Sequence, residues 1–163
     1  PLRSSPILAR NILEAIGHTP IIRLHKMVDE DSAQVLVKFE GLNVGGSIKT
    51  RTALKMIKAA EKEGLIKEDT IIVEPTSGNQ GIGLALVGSV RGYRTIIIMP
   101  DSVSEERRKL VRHYGAEVRL TSGKDGMAGA IRAVRSRTER DLRGKRMGKE
   151  HPGGFPQGHV LWF

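Results

Sequence analysis

The stretch Thr70–Gly92, "TIIVEPTSGNQGIGLALVGSVRG", carries the clearest structural signal in this sequence of 163 residues. It opens with a short apolar run rich in β-branched side chains, which is typical of a buried strand. A polar loop with glycines follows, and then an apolar segment of helical length that stops at Gly92. The stretch therefore predicts a strand, a loop and a helix in succession, the repeating unit of an α/β fold.

The same alternation continues on both sides of this stretch. Further strands are predicted at 35–39, 94–100 and 116–121, and further helices at 52–63, 102–115 and 125–137. Strands joined by single helices imply right-handed crossovers, so we expect a three-layer α/β/α fold with a mainly parallel sheet. Ligands of such sheets bind beyond the carboxyl ends of the strands, where we expect two glycine-rich loops, 41–50 and 76–83, to lie.

Composition and charge divide the chain into three predicted segments. Residues 1–32 form an N-terminal arm and turn, 33–134 the α/β domain, and 135–163 an atypical basic tail rich in glycine and proline. The net charge is +9: residues 1–134 carry 20 basic and 15 acidic side chains, and 135–163 carry 7 and 3. A nucleic-acid partner would depend mostly on that tail, and it is disfavoured because only 4% of residues are aromatic. The terminal "VLWF" is a candidate apolar anchor whose groove the sequence does not identify.

Several classes of protein are excluded or disfavoured by residue content. No apolar run approaches the roughly 20 residues of a membrane span, and the first residues lack the apolar core of a signal peptide. The sequence has no cysteine, which removes disulfides, thiolate nucleophiles and cysteine-based metal sites. The five histidines show no metal-ligand spacing. These features fit a cytoplasmic protein without a metal site.

The loop after the central predicted strand, 76–83, favours binding of a small anion. Thr76, Ser77 and Asn79 lie where the helix begins, and free backbone N–H groups at a helix start attract negative charge. The glycine order is the reverse of the dinucleotide fingerprint, and no acidic residue ends the next strand to hold a ribose. A carboxylate or small-anion cradle is the favoured interpretation, and a glycine turn with hydroxyl capping is the alternative.

The other loop, Gly41–Thr50, reads "GLNVGGSIKT" and resembles a damaged Walker phosphate loop. Two residues separate Gly46 from Lys49, whereas a Walker lysine follows the second glycine directly. The insertion places Lys49 in the first turn of the next helix, where the positive end of the helix dipole disfavours a charged amine. An amine with a lowered pKa is a nucleophile for an aldehyde, so Lys49 is a candidate to form a Schiff base. A solvated surface lysine is the alternative.

Four motifs in one order resemble the N-terminal half of a known family, the pyridoxal-phosphate enzymes of the cysteine synthase (O-acetylserine sulfhydrylase) and cystathionine β-synthase group. The resemblance covers residues 11–134 and implies the tryptophan synthase β-subunit-like fold, known as fold type II of the pyridoxal-phosphate enzymes. The motifs are "GHTPIIRL" (Gly17–Leu24), "NVGGSIKTR" (Asn43–Arg51), "EPTSGNQGIGLA" (Glu74–Ala85) and "GYRTIIIMPDSVSEERRKLVRHYGAEV" (Gly92–Val118).

The resemblance implies a role for each residue of the two loops. Lys49 matches the lysine that holds pyridoxal 5'-phosphate and later moves the substrate's α-proton, and Asn79 matches the asparagine that binds the cofactor's ring hydroxyl. The residues expected to bind the substrate's α-carboxylate are Thr76, Ser77, Gly78 and Gln80. The implied reaction is β-replacement on an O-activated serine-type amino acid, giving L-cysteine or a related amino acid.

The sequence departs from the family pattern at three positions and in its length. Val44 stands in place of the usual Pro or Ala, Thr50 in place of Asp, and Gln80 in place of Thr. Gln80 suggests an altered substrate choice. Family members are much longer, and their second half supplies a cup for the cofactor phosphate that we do not find after residue 134. The sequence thus predicts a truncated form, and the alternative to an enzyme is a non-catalytic fragment or subunit that acts through association. We also expect self-association into a homo-oligomer, because a truncated sheet exposes an edge or an apolar face.

Overall fold

The computed structural model describes residues 8–26, 28, 29, 31–147 and 160–163, with side chains up to Ser136 in the long helix that ends at Met147. Three short 3-10 helices, Ile12–Ala15, Glu40–Leu42 and Gly123–Asp125, join the main elements. In chain order these elements are β1 (Ile21–Arg23), β2 (Leu36–Lys38), α1 (Lys49–Lys62), β3 (Ile71–Pro75), α2 (Asn79–Arg91), β4 (Arg94–Pro100), α3 (Glu105–His113), β5 (Glu117–Thr121), α4 (Gly126–Met147) and β6 (Val160–Trp162).

Four strands form a parallel sheet in the order β5-β4-β3-β6. Pro75 lies opposite Ile98, and Pro100 lies opposite Thr121. The carboxyl ends of β3, β4 and β5 therefore lie along one edge, and the loops that follow them start there.

Two apolar cores lie on opposite faces of this sheet. On one face Ile72, Ile97 and Met99 pack with α1, α2 and Val111 of α3. On the other face the alternate strand residues pack against α4 through Ala130 and Val134, and these strand residues are Ile71, Val73, Ile96 and Ile98. Helices cover both faces, which confirms the predicted three-layer α/β/α architecture.

The predicted strand at 35–39 does not join the parallel sheet. It appears as β2, which pairs in antiparallel fashion with β1 in a separate two-stranded ribbon, with Ile22 opposite Val37. The periodicity of the sequence shows that a segment is extended but not which strand it pairs with.

The C-terminal residues add a strand to the parallel sheet. β6 pairs with β3, and Trp162 packs in the α4 core, with the guanidinium carbon of Arg135 5.8 Å from the ring centroid. Phe163 packs against the core on the other face. The apolar anchor "VLWF" therefore lies along β3. The division of the chain into three segments, with boundaries at residues 32 and 134, remains a prediction. Within the described residues, no helix is both long and apolar enough to cross a membrane.

Candidate active site

Lys49 is the first residue of α1, as the spacing of the loop predicts. Its backbone N–H donates to the Ser47 hydroxyl at 3.2 Å, which satisfies one of the free donors of the helix start. Its side chain is exposed rather than buried. The amine is therefore open to a ligand, and its position depends on how the loop before it is fixed.

Asn43 fixes that loop through four hydrogen bonds of one buried side chain. Its Oδ1 accepts from the N–H groups of Gly17 and Val44, both at 3.0 Å. Its Nδ2 donates to the Ser47 carbonyl at 3.1 Å and to Glu40 Oε2 at 3.2 Å. Asn43 is only 5% exposed, so these partners replace water. The "GHTP" turn and the lysine loop are thereby joined, although 26 residues separate Gly17 from Asn43.

Arg51 adds a second link between the same two segments. Its guanidinium donates to both Glu40 oxygens, at 2.8 and 3.0 Å, to the Gly17 carbonyl at 2.7 Å and to Thr19 Oγ1 at 3.2 Å. Hydrogen bonds from Arg51, and then from Thr19, hold the pKa of Glu40 at about 2, well below its ordinary value. This charged pair fixes the first turn of α1, which carries Lys49.

Thr50, which departs from the acidic residue that the sequence resemblance leads one to expect, makes a hydrogen bond of its own. Its buried hydroxyl donates to the Val44 carbonyl at 2.5 Å. Gly45 has a φ of +79°, and a Cβ added there would stand 2.7 Å from Thr50 Oγ1. Glycine is therefore favoured at position 45 both by the positive φ and by the lack of room for a Cβ. Thr50 holds the loop through its hydroxyl, without an acidic side chain.

Helices α1 and α2 pack tightly against each other at Gly83. A Cβ at this position would lie 3.0 Å from the Lys49 carbonyl, 3.1 Å from Ala53 Cβ and 3.2 Å from Thr50 Cα. Gly83 lies one turn after Asn79, the first residue of α2. The absent side chain at Gly83 therefore brings the starts of the two helices together, and with them the two loops singled out in the sequence.

The loop before α2 is held partly by its own bonds. Thr76 N–H donates to the Ile98 carbonyl at 3.0 Å, and Thr76 Oγ1 accepts from Gly78 N–H at 3.2 Å. Asn79 is exposed at the helix start. Gln80 turns toward α1, where its Nε2 donates to Met56 Sδ at 3.2 Å. Gln80 is one of the four residues expected to bind the substrate carboxylate, and in this structure its side-chain amide is hydrogen-bonded to α1 instead.

An open cavity of about 520 Å³ lies at the same edge of the sheet. Its polar lining includes Ser77 from the loop after β3, and Ser102, Ser104 and Arg107 from the segment after β4. Arg107 Nη1 donates to the Ser77 carbonyl at 2.9 Å. Lys49, Thr76, Asn79 and Gln80 do not line it. Ser77 is therefore the predicted site residue that faces this cavity.

Glu74, at the end of β3, was not singled out by sequence reasoning. Burial raises the pKa of its carboxyl to about 7. A hydrogen bond from the Phe163 backbone N–H acts in the opposite direction but is the smaller effect. Its Oε2 is buried without a hydrogen-bond partner. Sequence reasoning also missed the positioning roles of Glu40 and Asn43, because these roles depend on contacts with Thr19 and Gly17 of the distant "GHTP" turn.

The fold and the site together define an α/β protein in which an exposed lysine at one helix start and a polar loop at another share one side of a parallel sheet. A model of the family "Pyridoxal-phosphate dependent enzyme" matches residues 12–153, which is most of the chain. The chain therefore belongs to the pyridoxal-phosphate dependent enzyme family.

Individual relatives narrow the comparison within the family. A cysteine synthase of Staphylococcus aureus is 50% identical over 129 residues, which are 79% of this chain and 42% of that protein. The crystal structure of cysteine synthase from Entamoeba histolytica matches with a TM-score of 0.81 at 36% identity, over 98% of this chain and 44% of that one. A hydrogen sulfide-producing enzyme of Fusobacterium nucleatum matches with a TM-score of 0.75 at 46% identity, over 82% and 43%. The chain thus spans less than half the length of these relatives.

The residues present fit the family's cofactor. The amine of Lys49 and the amide of Asn79 are both exposed, and a Cβ added to Gly46 or Gly78 would meet no atom within 4 Å. The backbone at Gly46 and at Gly78 is therefore open to a ligand in both loops. Among the residues that the structure describes, no group of three or more His, Cys, Asp or Glu side chains could hold a metal ion.

Proposed function

We propose that this chain carries the lysine and the substrate loop of a pyridoxal-phosphate-dependent β-replacement site. The substrate is an O-activated serine-type amino acid, and the product is L-cysteine or a related amino acid. The observation that carries the proposal is the close approach of α1 and α2 at Gly83, which brings Lys49 to the helix that Asn79 begins. The cysteine synthases among its relatives support the reaction type.

Each residue has a task that suits its position. Lys49 would hold the cofactor through its aldehyde and move the proton of the substrate's Cα, and Asn79 would donate to the ring hydroxyl. When bound, pyridoxal phosphate supplies an electron sink for the Cα carbanion. The residues that would orient the substrate's α-carboxylate are Thr76, Ser77, Gly78 and Gln80. Their hydroxyls, amides and helix-start N–H groups are suited to an anion.

Cofactor binding is tested by visible absorbance and covalent trapping. The purified chain mixed with pyridoxal 5'-phosphate should show an absorbance band at about 410 nm. Reduction with borohydride should attach the cofactor covalently to Lys49. Lys49→Ala should lose both signals, and Lys55→Ala, which changes an exposed lysine on the same helix, should keep them. A colourless chain, or label that survives Lys49→Ala, contradicts the proposal.

A second candidate function is a non-catalytic subunit that acts through association, and one surface favours it. In the β1–β2 ribbon, alternation places Ile22, Val37 and Phe39 on one face, where they are 43%, 38% and 44% exposed. That face carries no charged residue, whereas Arg23 and Lys38 lie on the opposite face. We therefore propose a homo-oligomer in which this apolar face is covered.

Sedimentation of the chain tests the association. Ile22→Ser combined with Val37→Ser should shift the chain toward monomer. The control pair, Ile21→Ser with Leu36→Ser, changes exposed apolar residues on the opposite face and should leave the oligomer intact. A monomeric wild type contradicts association.

We also propose a cytoplasmic location, supported by the absence of cysteine and by relatives named as cysteine synthases.

A further inference from the structure

We propose that Met56 is a site of reversible oxidation by peroxide, and that the oxygen added to its sulfur holds the side-chain amide of Gln80 on α1. The product is methionine sulfoxide, which reductases convert back to methionine. The modification itself does not depend on the proposed function. Its effect on substrate binding rests on that function, because Gln80 is one of the residues proposed to orient the α-carboxylate.

Methionine provides all the sulfur in this sequence, which contains five methionines and no cysteine. The structure describes the side chains of Met56, Met99 and Met127. Met99 is 2% exposed in the core, and Met127 packs against the core on the α4 face of the sheet. Met56 is half-buried on α1. Among these three side chains, Met56 is the one whose sulfur already accepts a hydrogen bond.

The contact between Gln80 and Met56 joins the two helices of the candidate site. Gln80 Nε2 donates to Met56 Sδ at 3.2 Å. Met56 follows Ala53 by three residues on α1, and Gln80 precedes Gly83 by three residues on α2. Side chains three residues apart are neighbours on a helix surface, and Ala53 and Gly83 are in close contact. The packing of the helices therefore keeps the amide beside the sulfur.

Oxidation converts a weak hydrogen-bond acceptor at this position into a strong one. A thioether sulfur accepts only weakly, whereas the product carries a polar oxygen. The sulfur lone pair attacks one oxygen of hydrogen peroxide, and the S–O bond forms as the O–O bond breaks. The departing hydroxide takes the proton of the transferred oxygen and leaves as water, so the sulfur loses two electrons and the peroxide gains them. The Gln80 amide then offsets the cost of a partly buried oxygen.

Capture of Gln80 would remove one donor from the substrate loop. Gln80 departs from the threonine that the sequence resemblance leads one to expect, and its longer side chain reaches α1. In the reduced protein the weak bond to sulfur leaves the amide available to an α-carboxylate. In the oxidised protein the sulfoxide oxygen competes with the carboxylate for the same amide. Oxidation should therefore weaken substrate binding and leave the exposed amine of Lys49 unchanged.

Peroxide titration of the full chain, read by peptide mass spectrometry and side-chain amide NMR, tests the inference. Hydrogen peroxide should add one oxygen to Met56 before it reaches Met99, and the side-chain amide signals of Gln80 should shift with it. Methionine sulfoxide reductase should reverse both changes. Met56→Leu should abolish the shift of Gln80, and Met127→Leu should retain it. The backbone amide spectrum of each variant reports its folding in the same experiment.

L-Serine, added with pyridoxal 5'-phosphate, reports the effect on the substrate loop. The oxidised protein should bind L-serine about three- to tenfold more weakly than the reduced protein, which is the range that one neutral hydrogen bond contributes. The absorbance band of the cofactor should be the same in both forms. Gln80→Thr should make the affinity for L-serine insensitive to peroxide, because it removes the amide that the sulfoxide would hold.

Three results would overturn the inference. They are a Met56 that stays reduced while Met99 is oxidised, Met56 sulfoxide that leaves the Gln80 signals unchanged, and an equal loss of L-serine affinity in Gln80→Thr. The proposed function is tested separately. Oxidation of Met56 with a shift of Gln80, but without an absorbance band or binding of L-serine, would support this inference and contradict the β-replacement site.

Discussion

The carbonyl oxygen of Lys49 lies 3.0 Å from the point where a Cβ of Gly83 would stand. This distance is shorter than an ordinary van der Waals contact, so a side chain at residue 83 would push the two helices a few tenths of an ångström apart. The helix that begins with Lys49 and the helix that begins with Asn79 are fixed against each other there. The geometry of the candidate site therefore depends on a glycine that need not touch any ligand.

Replacing Gly83 by Ala should destabilise the protein. The added Cβ would meet the Lys49 carbonyl, Ala53 Cβ and Thr50 Cα, two of which are backbone atoms that cannot rotate away. We expect a loss of about 1–3 kcal/mol in the free energy of unfolding, as for other overpacked sites. Urea unfolding measures it. Gly78→Ala is the control, because its Cβ would meet no atom within 4 Å. Equal effects of the two changes would show that the helix contact is not tight.

Removing the side chain of Asn43 should loosen the lysine loop. Asn43→Ala leaves the N–H groups of Gly17 and Val44 without their partner in a buried place. Unsatisfied buried groups cost about 1–3 kcal/mol each, so we expect a loss of about 3 kcal/mol in unfolding free energy. Hydrogen exchange should rise at both amides. If both amides stay protected in the variant, another group supplies the acceptor and the proposed role of Asn43 is wrong.

Low pH should reduce the free energy of unfolding, because Glu40 becomes protonated and loses its charged interaction with Arg51. Its pKa is lowered to about 2 by Arg51 and Thr19, so its contribution to stability is present above its ordinary pKa of about 4.5. That contribution is lost as the pH falls from about 4.5 through 2. Urea unfolding at pH 5 and at pH 2.5 should show a smaller decrease for Glu40→Gln than for the wild type. Glu63→Gln, which alters an exposed carboxylate, should behave like the wild type.

Glu74 should produce the opposite dependence. Burial raises its pKa to about 7, so the stability associated with the neutral acid is complete below about 4.5 and is lost as the pH rises through 7. We expect the wild type to lose about 1 kcal/mol between pH 4.5 and 8, a figure reduced for the partial exposure of the group. Glu74→Gln should remove this loss. Identical pH profiles for wild type and variant would contradict a buried, titrating Glu74.

The sequence predicted the central elements because their signals are local. β4 has the predicted bounds, and α2 stops at Gly92 as predicted, where a φ of +78° closes the helix. The position of Lys49 in the first turn of α1 also followed from spacing alone. By contrast, β2 was expected in the main sheet and pairs with β1, because apolar alternation does not specify a partner strand. The exposure of Lys49 likewise depends on neighbours distant in sequence.

The sequence by itself determined the α/β order, the family and the residues expected to meet a cofactor and a substrate, because periodicity and short motifs are encoded within a few residues of one another. The tertiary structure alone decided that Asn43 bonds to Gly17, that Gly83 sets the distance between the helix starts, and that Glu74 is held in a buried place. Each of these depends on atoms brought together from distant parts of the chain. Burial, close approach and pKa are properties of such neighbourhoods, which exist only once the chain has packed.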